Sequence, residues 1–292
     1  MKTYFDCIPC FMRQALDSVR LVSDDEAVQE RLIREFIRAI SEVDFYESPP
    51  AMGQRFHRII RKLTGENDPY REVKDRFMRL ALEMYPELRS RVDLSDYPLE
   101  RAVRLAVAGN VIDLAVNGQL DEAQVYEAID HALTSPLDGD MKEFSAAISS
   151  AEEILYLADN AGEIVFDRLL IEQMPKEKIT VVVRGFPVIN DATMVEARLA
   201  GITEMVEVID NGADVPGTII HKCSEAFQRR FDKADLIIAK GQGNYETLSE
   251  VEKDIFFLLK AKCPVIAKDL DCQVGSLILR RSNQVTAAVV EA

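Results

Sequence analysis

The second half of the chain alternates short apolar segments with helical patterns, and this alternation constrains the fold more than any other feature. The apolar runs occur at residues 154–158, 179–183, 206–209, 236–239, 265–267 and 285–290. Helical patterns separate most of them, at residues 163–174, 192–200, 219–231 and 246–260. Continuous apolar strands that alternate with helices are typical of a parallel sheet covered on both faces. We therefore predict a Rossmann-like, three-layer α/β/α domain with a mostly parallel sheet over residues 151–292.

The preceding part of the chain carries helical spacing of apolar residues and no convincing strand. The Ser-Asp-Asp-Glu sequence that starts at Ser23 is the pattern of a capping box, with Ser23 as the N-cap. Gly65 and Pro86 are natural ends for two of the helices that follow. Those helices are predicted over residues 49–64, 68–86, 98–117, 121–134 and 140–149. We predict an all-helical N-terminal domain over residues 1–150, with its boundary in the loop at 135–140.

Composition and charge exclude several classes of protein. The 292 residues are 48% hydrophobic and 29% charged, which is typical of a globular protein with a buried core. The net charge is −15, because 50 acidic residues outnumber 35 basic ones, so the chain lacks the basic surface that binds nucleic acid. We find no signal sequence and no apolar segment of membrane-spanning length, and the five cysteines are an odd number. We therefore expect a cytoplasmic protein with reduced thiols that binds neither membrane nor nucleic acid.

Polar residues and glycines follow four of the predicted strands, at residues 159–163, 184–191, 210–212 and 240–244. In an open parallel sheet, ligands bind beyond the carboxyl ends of the strands, where the strand order reverses. A strand order of 3-2-1-4-5 would put that reversal between the first and fourth strands. The oxygens of Asp159, Asn160 and Asp191 suit Mg²⁺ or Mn²⁺, and Lys240 beside glycine-exposed N–H groups suits phosphate. These are the parts of a phosphoryl-transfer or phosphate-ester hydrolysis site, although each cluster alone also fits a turn that caps the next helix.

Five motifs, taken together, resemble a known family. The sequences at residues 159–163 (DNAGE), 184–193 (RGFPVINDAT) and 240–248 (KGQGNYETL) resemble the damage-control phosphatase family, first catalogued as domain of unknown function 89. Two N-terminal sequences, at residues 7–10 (CIPC) and 109–113 (GNVID), resemble motifs of its prokaryotic, cysteine-bearing subgroup. The five motifs keep their order and span nearly the whole chain.

The resemblance implies a helical domain joined to a Rossmann-like domain, in agreement with the periodicity. It also implies a divalent metal (Mn²⁺, Co²⁺, Ni²⁺ or Mg²⁺) held by Asp159, Asn160 and Asp191. The implied activity is the hydrolysis of small phosphorylated metabolites, such as sugar phosphates. One eukaryotic branch of the family has been proposed to methylate protein carboxylates, so the resemblance alone leaves the reaction open.

We expect the fourth strand end to bind the transferring phosphoryl group. In this interpretation Lys240 neutralises the phosphate charge, and the backbone from Gly241 through Gly243 to Asn244 donates hydrogen bonds to it. Arg184 would clamp the phosphate through two hydrogen bonds, or else form a surface salt bridge.

Three further residues are candidates for catalysis. Glu163 could act as general acid or base, but we favour a role in complementing the N-terminus of the following helix. Asn110 and Asp113 lie in a segment that is apolar on nearly every side and is therefore predicted to be buried. They could bond to neighbouring backbone within the helical domain. The resemblance favours the alternative, in which both face the cleft opposite Asp159.

Other functions stay open at this point. The chain could bind a metal or a phosphometabolite without turnover, or methylate carboxylates with S-adenosylmethionine. Phosphorylation of Asp159 itself is disfavoured, because haloacid-dehalogenase-type phosphatases carry a second aspartate two positions later, where this chain has Ala161. Cys7 and Cys10 fit simple packing at a helix start, a redox pair or an accessory metal site. The three histidines are isolated and are expected to be structural: His57, His131 and His221.

Overall fold

The computed structural model describes residues 1–109 and 122–282. The helices of the described residues are α1 (Cys7–Val22), α2 (Glu26–Ser41), α3 (Pro49–Thr64), α4 (Arg71–Asp93), α5 (Pro98–Ala108), α6 (Glu122–Thr134), α7 (Met141–Ser150), α8 (Glu163–Ile171), α9 (Met194–Leu199), α10 (Glu225–Lys233), α11 (Gly241–Leu248) and α12 (Pro264–Asp269). The strands are β1 (Leu137–Asp138), β2 (Ile154–Leu157), β3 (Ile179–Val183), β4 (Glu207–Asp210), β5 (Leu236–Lys240), β6 (Ile255–Lys260) and β7 (Leu277–Arg281).

These seven strands form one sheet in the order β1-β7-β6-β5-β2-β3-β4. The five strands from β6 to β4 in this order run parallel to one another, β7 runs antiparallel to β6, and β1 pairs parallel to β7. The first and fourth long strands, β2 and β5, are therefore neighbours, and the chain continues from them to opposite sides of the sheet. The predicted switch point between these two strands is confirmed.

Alternate residues of β2, β3, β5, β6 and β7 enter two separate hydrophobic clusters, one on each face of the sheet. In β2, Ile154 and Tyr156 belong to the cluster that α4 to α9 cover, whereas Leu155 and Leu157 belong to the cluster that α10 to α12 cover. All four residues of β2 are buried, because both faces of the strand are covered. The structure thus has the predicted three-layer α/β/α architecture with a helical N-terminus.

The helices of the first half of the chain divide into two groups. The first group, α1 to α3, packs around its own aromatic cluster, in which the ring centroids of Phe36 and Phe56 are 4.7 Å apart. The second group, α4 to α7, shares one continuous hydrophobic cluster with the sheet. A domain boundary at residue 150 stays a prediction.

Two segments near the C-terminus differ from the sequence prediction. Residues 246–260, predicted as one helix, contain the end of α11 and the whole of β6. Residues 265–267, predicted as a strand, lie in α12, which begins with Pro264 at its first position. The apolar run of β6 is too short and too uniform for periodicity to distinguish a strand from a helix. Strand β7 was not predicted, and neither was β1, which lies within the part of the chain predicted to be all-helical. The predicted strand at 285–290 lies outside the described residues.

Helix ends also differ from the sequence prediction in two places. The N-cap of α2 is Asp25, which accepts a hydrogen bond from the Ala27 N–H, while Ser23 instead accepts one from the Asp25 N–H. Helix α4 continues through Pro86 to Asp93, because its buried stripe continues past the proline and packing outweighs the lost hydrogen bond. The first part of the helix predicted at 98–117 is present as α5, and residues 110–117 lie outside the described residues. None of the helices in the described ranges has the length and apolar character needed to cross a bilayer.

Candidate active site at the switch point

Two loops meet at the carboxyl ends of β2 and β3 and bring three predicted metal ligands together. Asp159 and Asn160 follow β2, and Asp191 lies in the loop after β3. The loops are joined by backbone hydrogen bonds: the Ala192 N–H donates to the Asp159 carbonyl and the Ala161 N–H to the Asn190 carbonyl, both at 2.8 Å. Asn160 and Asp191 form an isolated β-bridge. The backbone therefore fixes these side chains next to one another before any ligand binds.

The three side chains line a cavity of about 750 Å³. The loop after β3 and the start of α11 form one side of this cavity, and residues of α1, α3 and α4 form the other. Phosphorylated small metabolites are of a size that such a cleft can enclose. The cleft therefore lies between the helical half of the chain and the switch point of the sheet.

Asp159 and Asp191 share one buried guanidinium. Arg184 is 1% exposed; its Nε donates to Asp191 Oδ2 at 2.6 Å, and its Nη2 lies 3.5 Å from Asp159 Oδ1. Burial and the nearby Asp191 charge raise the pKa of Asp159 well above its usual value, against the effect of Arg184. Burial likewise raises the pKa of Asp191, again opposed by Arg184. One cation thus faces two buried carboxylates, which leaves an excess of negative charge at the cavity wall.

This donor set fits a hard divalent cation. Two carboxylates and an amide oxygen are ligands that Mg²⁺ and Mn²⁺ accept, and a cation would relieve the repulsion that raises the pKa of Asp159. The described residues contain no group of three or more His, Cys, Asp and Glu side chains arranged to hold a metal. The candidate metal centre therefore depends on Asn160 as its third protein ligand.

Lys240 lies behind this wall, fully buried at the end of β5. Its Nζ donates to Glu163 Oε1 at 2.6 Å, to the Ala106 carbonyl at 2.8 Å and to Asp167 Oδ1. Burial alone would lower the pKa of Lys240, but Asp167 and Glu163 reverse this and raise it. Lys240 does not line the cavity. Its contact with a phosphate stays a prediction. The predicted contact between Arg184 and phosphate also stays a prediction, since the carboxylates beside Arg184 are those of Asp191 and Asp159.

The glycines after Lys240 bring the backbone close to the candidate metal ligands. Gly241 has a φ of 76°, and a Cβ there would lie 1.8 Å from Asp159 Oδ2, so only glycine fits without displacement. Gly243 lines the cavity. Asn244 is buried; its Nδ2 donates to the Lys240 carbonyl at 2.7 Å and its Oδ1 accepts from Thr218 Oγ1 at 2.8 Å. Asn244 thus stabilises the turn, and its predicted contact with phosphate is untested.

Glu163 is the first residue of α8 and is 2% exposed. This position fits the predicted role at the helix N-terminus, yet its carboxylate also contacts two side chains. Besides the bond from Lys240, its Oε2 accepts a hydrogen bond from Asn160 Nδ2 at 3.1 Å. Asn110 and Asp113, predicted to face Asp159, lie outside the described residues.

The cysteines and histidines occupy separate positions. Cys7 is buried and Cys10 is exposed at the cavity; both are free thiols, and burial raises the pKa of each. His57 is buried, which lowers its pKa to about 4, and it belongs to the core of the helical half. A structural position, at the surface or in the core, was predicted for the histidines, and His57 lies in the core.

Sequence reasoning missed two cavity residues in α11. Gln242 and Glu246 both line the cavity, and Gln242 Nε2 donates to Glu246 Oε1 at 2.8 Å. Burial raises the pKa of Glu246 to about 7. The signal was available: a helix that starts at Gly241 puts residues four positions apart on one face. The predicted helix began only at residue 246, so the pair was not recognised.

Comparisons with known proteins agree over nearly the full length. Residues 3–278 match the family described as "Damage-control phosphatase ARMT1-like domain". An uncharacterized protein of Methanocaldococcus jannaschii is 37% identical, covering 94% of this chain and 93% of that protein. A protein of Archaeoglobus fulgidus named damage-control phosphatase is 35% identical, covering 94% of this chain and 97% of that protein. A protein of Pyrococcus horikoshii, also named damage-control phosphatase, is 33% identical, covering 97% of this chain and 99% of that protein. The crystal structure of a DUF89 family protein from Pyrococcus horikoshii has a TM-score of 0.89 at 32% identity, covering 97% of this chain and all of the other.

Proposed function

Because the chain belongs to the ARMT1-like damage-control phosphatase domain family, we propose that it is a divalent-metal-dependent phosphatase that hydrolyses small phosphorylated metabolites such as sugar phosphates. The names of the Archaeoglobus and Pyrococcus relatives support the reaction class. The observation that carries the proposal is the cavity at the switch point, where Asp159, Asn160 and Asp191 line one wall.

In this proposal the three side chains hold the cation by their oxygens, and Mn²⁺, Co²⁺, Ni²⁺ and Mg²⁺ are the candidates. A bound divalent cation would polarise a phosphate oxygen and lower the pKa of a coordinated water. Arg184 favours the ionised form of both aspartates and orients them, because its guanidinium lies 2.6 Å from Asp191 Oδ2 and 3.5 Å from Asp159 Oδ1. Gly243 lines the cavity, and a Cβ there would lie 2.6 Å from the Pro216 carbonyl oxygen, so glycine lets these two stretches of backbone approach closely.

The test is phosphate release from a panel of sugar phosphates and other small phosphate esters, each assayed with the four metals. We expect turnover that needs a metal and that EDTA abolishes. Asp159→Ala and Asp191→Ala should each lower kcat/KM by about 1,000-fold, the upper range for loss of a group that stabilises charge in the transition state. Calorimetry should show the loss of tight Mn²⁺ binding in both variants.

Three outcomes would contradict the proposal. One is full turnover and metal binding in either alanine variant. A second is methyl transfer from S-adenosylmethionine to carboxylates with no phosphate release from any ester, which would favour the methyltransferase alternative. Ligand binding without any turnover would equally exclude an enzyme and indicate a binding protein.

A further inference from the structure

The side-chain amide of Asn160 is held in one orientation by two carboxylates. Its Nδ2 donates to Asp159 Oδ2 and to Glu163 Oε2, each at 3.1 Å. The reverse orientation would place the amide oxygen against two carboxylate oxygens, which accept hydrogen bonds but cannot donate them when ionised. The hydrogen-bond network therefore fixes the assignment of the amide atoms. It turns Oδ1, the atom that can bind a cation, away from both carboxylates.

Glu163 is in turn held by Lys240. One oxygen of the Glu163 carboxylate accepts from Lys240 Nζ at 2.6 Å and the other accepts from Asn160. Both side chains are almost fully buried, so solvent does not compete for these bonds. A continuous series of contacts thus leads from the ammonium of Lys240 through Glu163 to Asn160.

The ammonium of Lys240 has no remaining hydrogen-bond donor. It carries three N–H groups, and three acceptors surround it: the Ala106 carbonyl, Glu163 Oε1 and Asp167 Oδ1. A phosphate oxygen could bind to Lys240 only by displacing one of them from a site without solvent access. This arrangement suits a residue that holds its neighbours in place.

We propose that Lys240 and Glu163 are positioning residues for the metal centre: Lys240 orients Glu163, and Glu163 orients Asn160 so that its Oδ1 faces the cation. The proposal rests on the proposed function and specifies how that site is built. It replaces the direct contact between Lys240 and phosphate expected from the sequence. Partners that orient a metal ligand typically change metal affinity by about 10- to 100-fold when removed.

The decisive comparison is between the two carboxylates that contact Lys240. Glu163→Gln and Asp167→Asn each remove one of the two negative charges that contact the Lys240 ammonium. Of these two residues, only Glu163 also contacts Asn160. We expect Glu163→Gln to weaken Mn²⁺ binding by about 10- to 100-fold in calorimetry. Asp167→Asn should change Mn²⁺ affinity by less than about threefold, while both variants lower Tm. Equal losses of affinity in the two variants would overturn the proposal and leave Lys240 a purely structural cation.

A double-mutant cycle tests whether Glu163 acts through Asn160. Asn160→Ala removes the ligand, so adding Glu163→Gln to it should cause no further loss of Mn²⁺ affinity. Additive losses would show that Glu163 acts on the metal by another route and would overturn the proposal. If Glu163→Gln does not fold by circular dichroism, Glu163→Asp takes its place. It keeps the charge beside Lys240 but shortens the reach to Asn160, and the same loss is expected.

Asp159→Ala separates this inference from the proposed function. If Asp159→Ala binds Mn²⁺ as tightly as the wild type, the metal centre itself is wrongly assigned. If Asp159→Ala loses the metal while Glu163→Gln retains full affinity, the metal centre stands and the positioning role fails.

Discussion

The two walls of the cavity are built in different ways. On the sheet side, Asp159 and Asp191 are buried and share the Arg184 guanidinium, and backbone hydrogen bonds join the two loops that carry them. On the opposite side, Arg13 and Arg20 of α1 are exposed, and neither guanidinium forms a hydrogen bond or ion pair with another described residue. The first wall keeps its geometry without a ligand, whereas the side chains of the second are free to adapt. This difference suggests that the sheet side performs the chemistry and that α1 selects the substrate.

Among variants that leave the candidate metal ligands in place, the largest effect should come from adding one methyl group to the sheet wall. In Gly241→Ala the new Cβ would collide with the Asp159 carboxylate, which must then move. Because displacements of about 1 Å at a reactive site can cost about 100-fold in rate, we expect kcat/KM to fall by at least that factor.

The matched control is Gly65→Ala. Gly65 has nearly the same φ, 75° against 76°, but nothing lies within 4 Å of its Cβ position. Both variants bear the cost of a left-handed backbone, about 1 kcal/mol, but Gly65→Ala should keep its activity. Similar activity losses in the two variants would mean that the Gly241 effect is general destabilisation.

A smaller effect concerns the link between the two walls. Asp214, in the loop that continues to Pro216 at the cavity, accepts hydrogen bonds from Gln54, Arg58 and Arg61 of α3. Partial burial opposes ionisation, but these bonds outweigh it and lower the pKa of Asp214 to about 2. Since solvent screens part of the interaction, we expect Asp214→Asn to lower the free energy of unfolding by about 1 kcal/mol at neutral pH.

The pH dependence of that difference follows from the sign of the shift. A folded-state pKa below the unfolded value, near 4, stabilises the protein fully above pH 4. The stabilisation is lost as the pH falls towards 2. Denaturant unfolding of the wild type and Asp214→Asn should therefore converge over this interval. A difference that is constant from pH 7 to pH 2 would contradict the assigned role of the charge.

The smallest effect should come from the α1 wall. Arg13→Ala and Arg20→Ala should each raise KM by about three- to tenfold for anionic substrates, with kcat and Tm unchanged, because one solvent-exposed charge contributes about 1 kcal/mol. Arg31→Ala on α2 is the control, since Arg31 is exposed and lies away from the cavity. A fall in kcat as large as that of a sheet-wall variant would show that both walls take part in the chemistry.

The sequence predicted the parts of the molecule that depend on local pattern. Apolar runs that end in polar clusters predicted the strands β2, β3 and β5 and the switch point between β2 and β5. The same pattern predicted that Asp159, Asn160 and Asp191 lie together. The position of those clusters at one sheet edge is a consequence of parallel topology, so no side-chain detail was needed.

The sequence could not predict which charged residues would be buried. Lys240 and Arg184 are long cationic side chains next to glycines, a pattern that equally suits a phosphate ligand on the surface. The burial of Lys240 depends on partners distant in the chain: the Ala106 carbonyl is 134 positions away, and Glu163 is 77 positions away. Arg184 also contacts a distant residue, Asn244, which is 60 positions away. No periodicity encodes such pairs. The same holds for β6, whose apolar run becomes a strand only because β5 and β7 lie on either side of it.

The pairing of β1 with β7 joins residue 137 to residue 277. As the chain leaves the ribosome, α4 to α7 emerge with an apolar surface whose covering strands are synthesised later. The edge of the sheet cannot close until about 140 further residues have followed β1, which corresponds to roughly 7–28 s at typical rates of synthesis. During this interval the nascent helices present an uncovered hydrophobic surface, so the early chain is exposed to aggregation and is a natural substrate for chaperones.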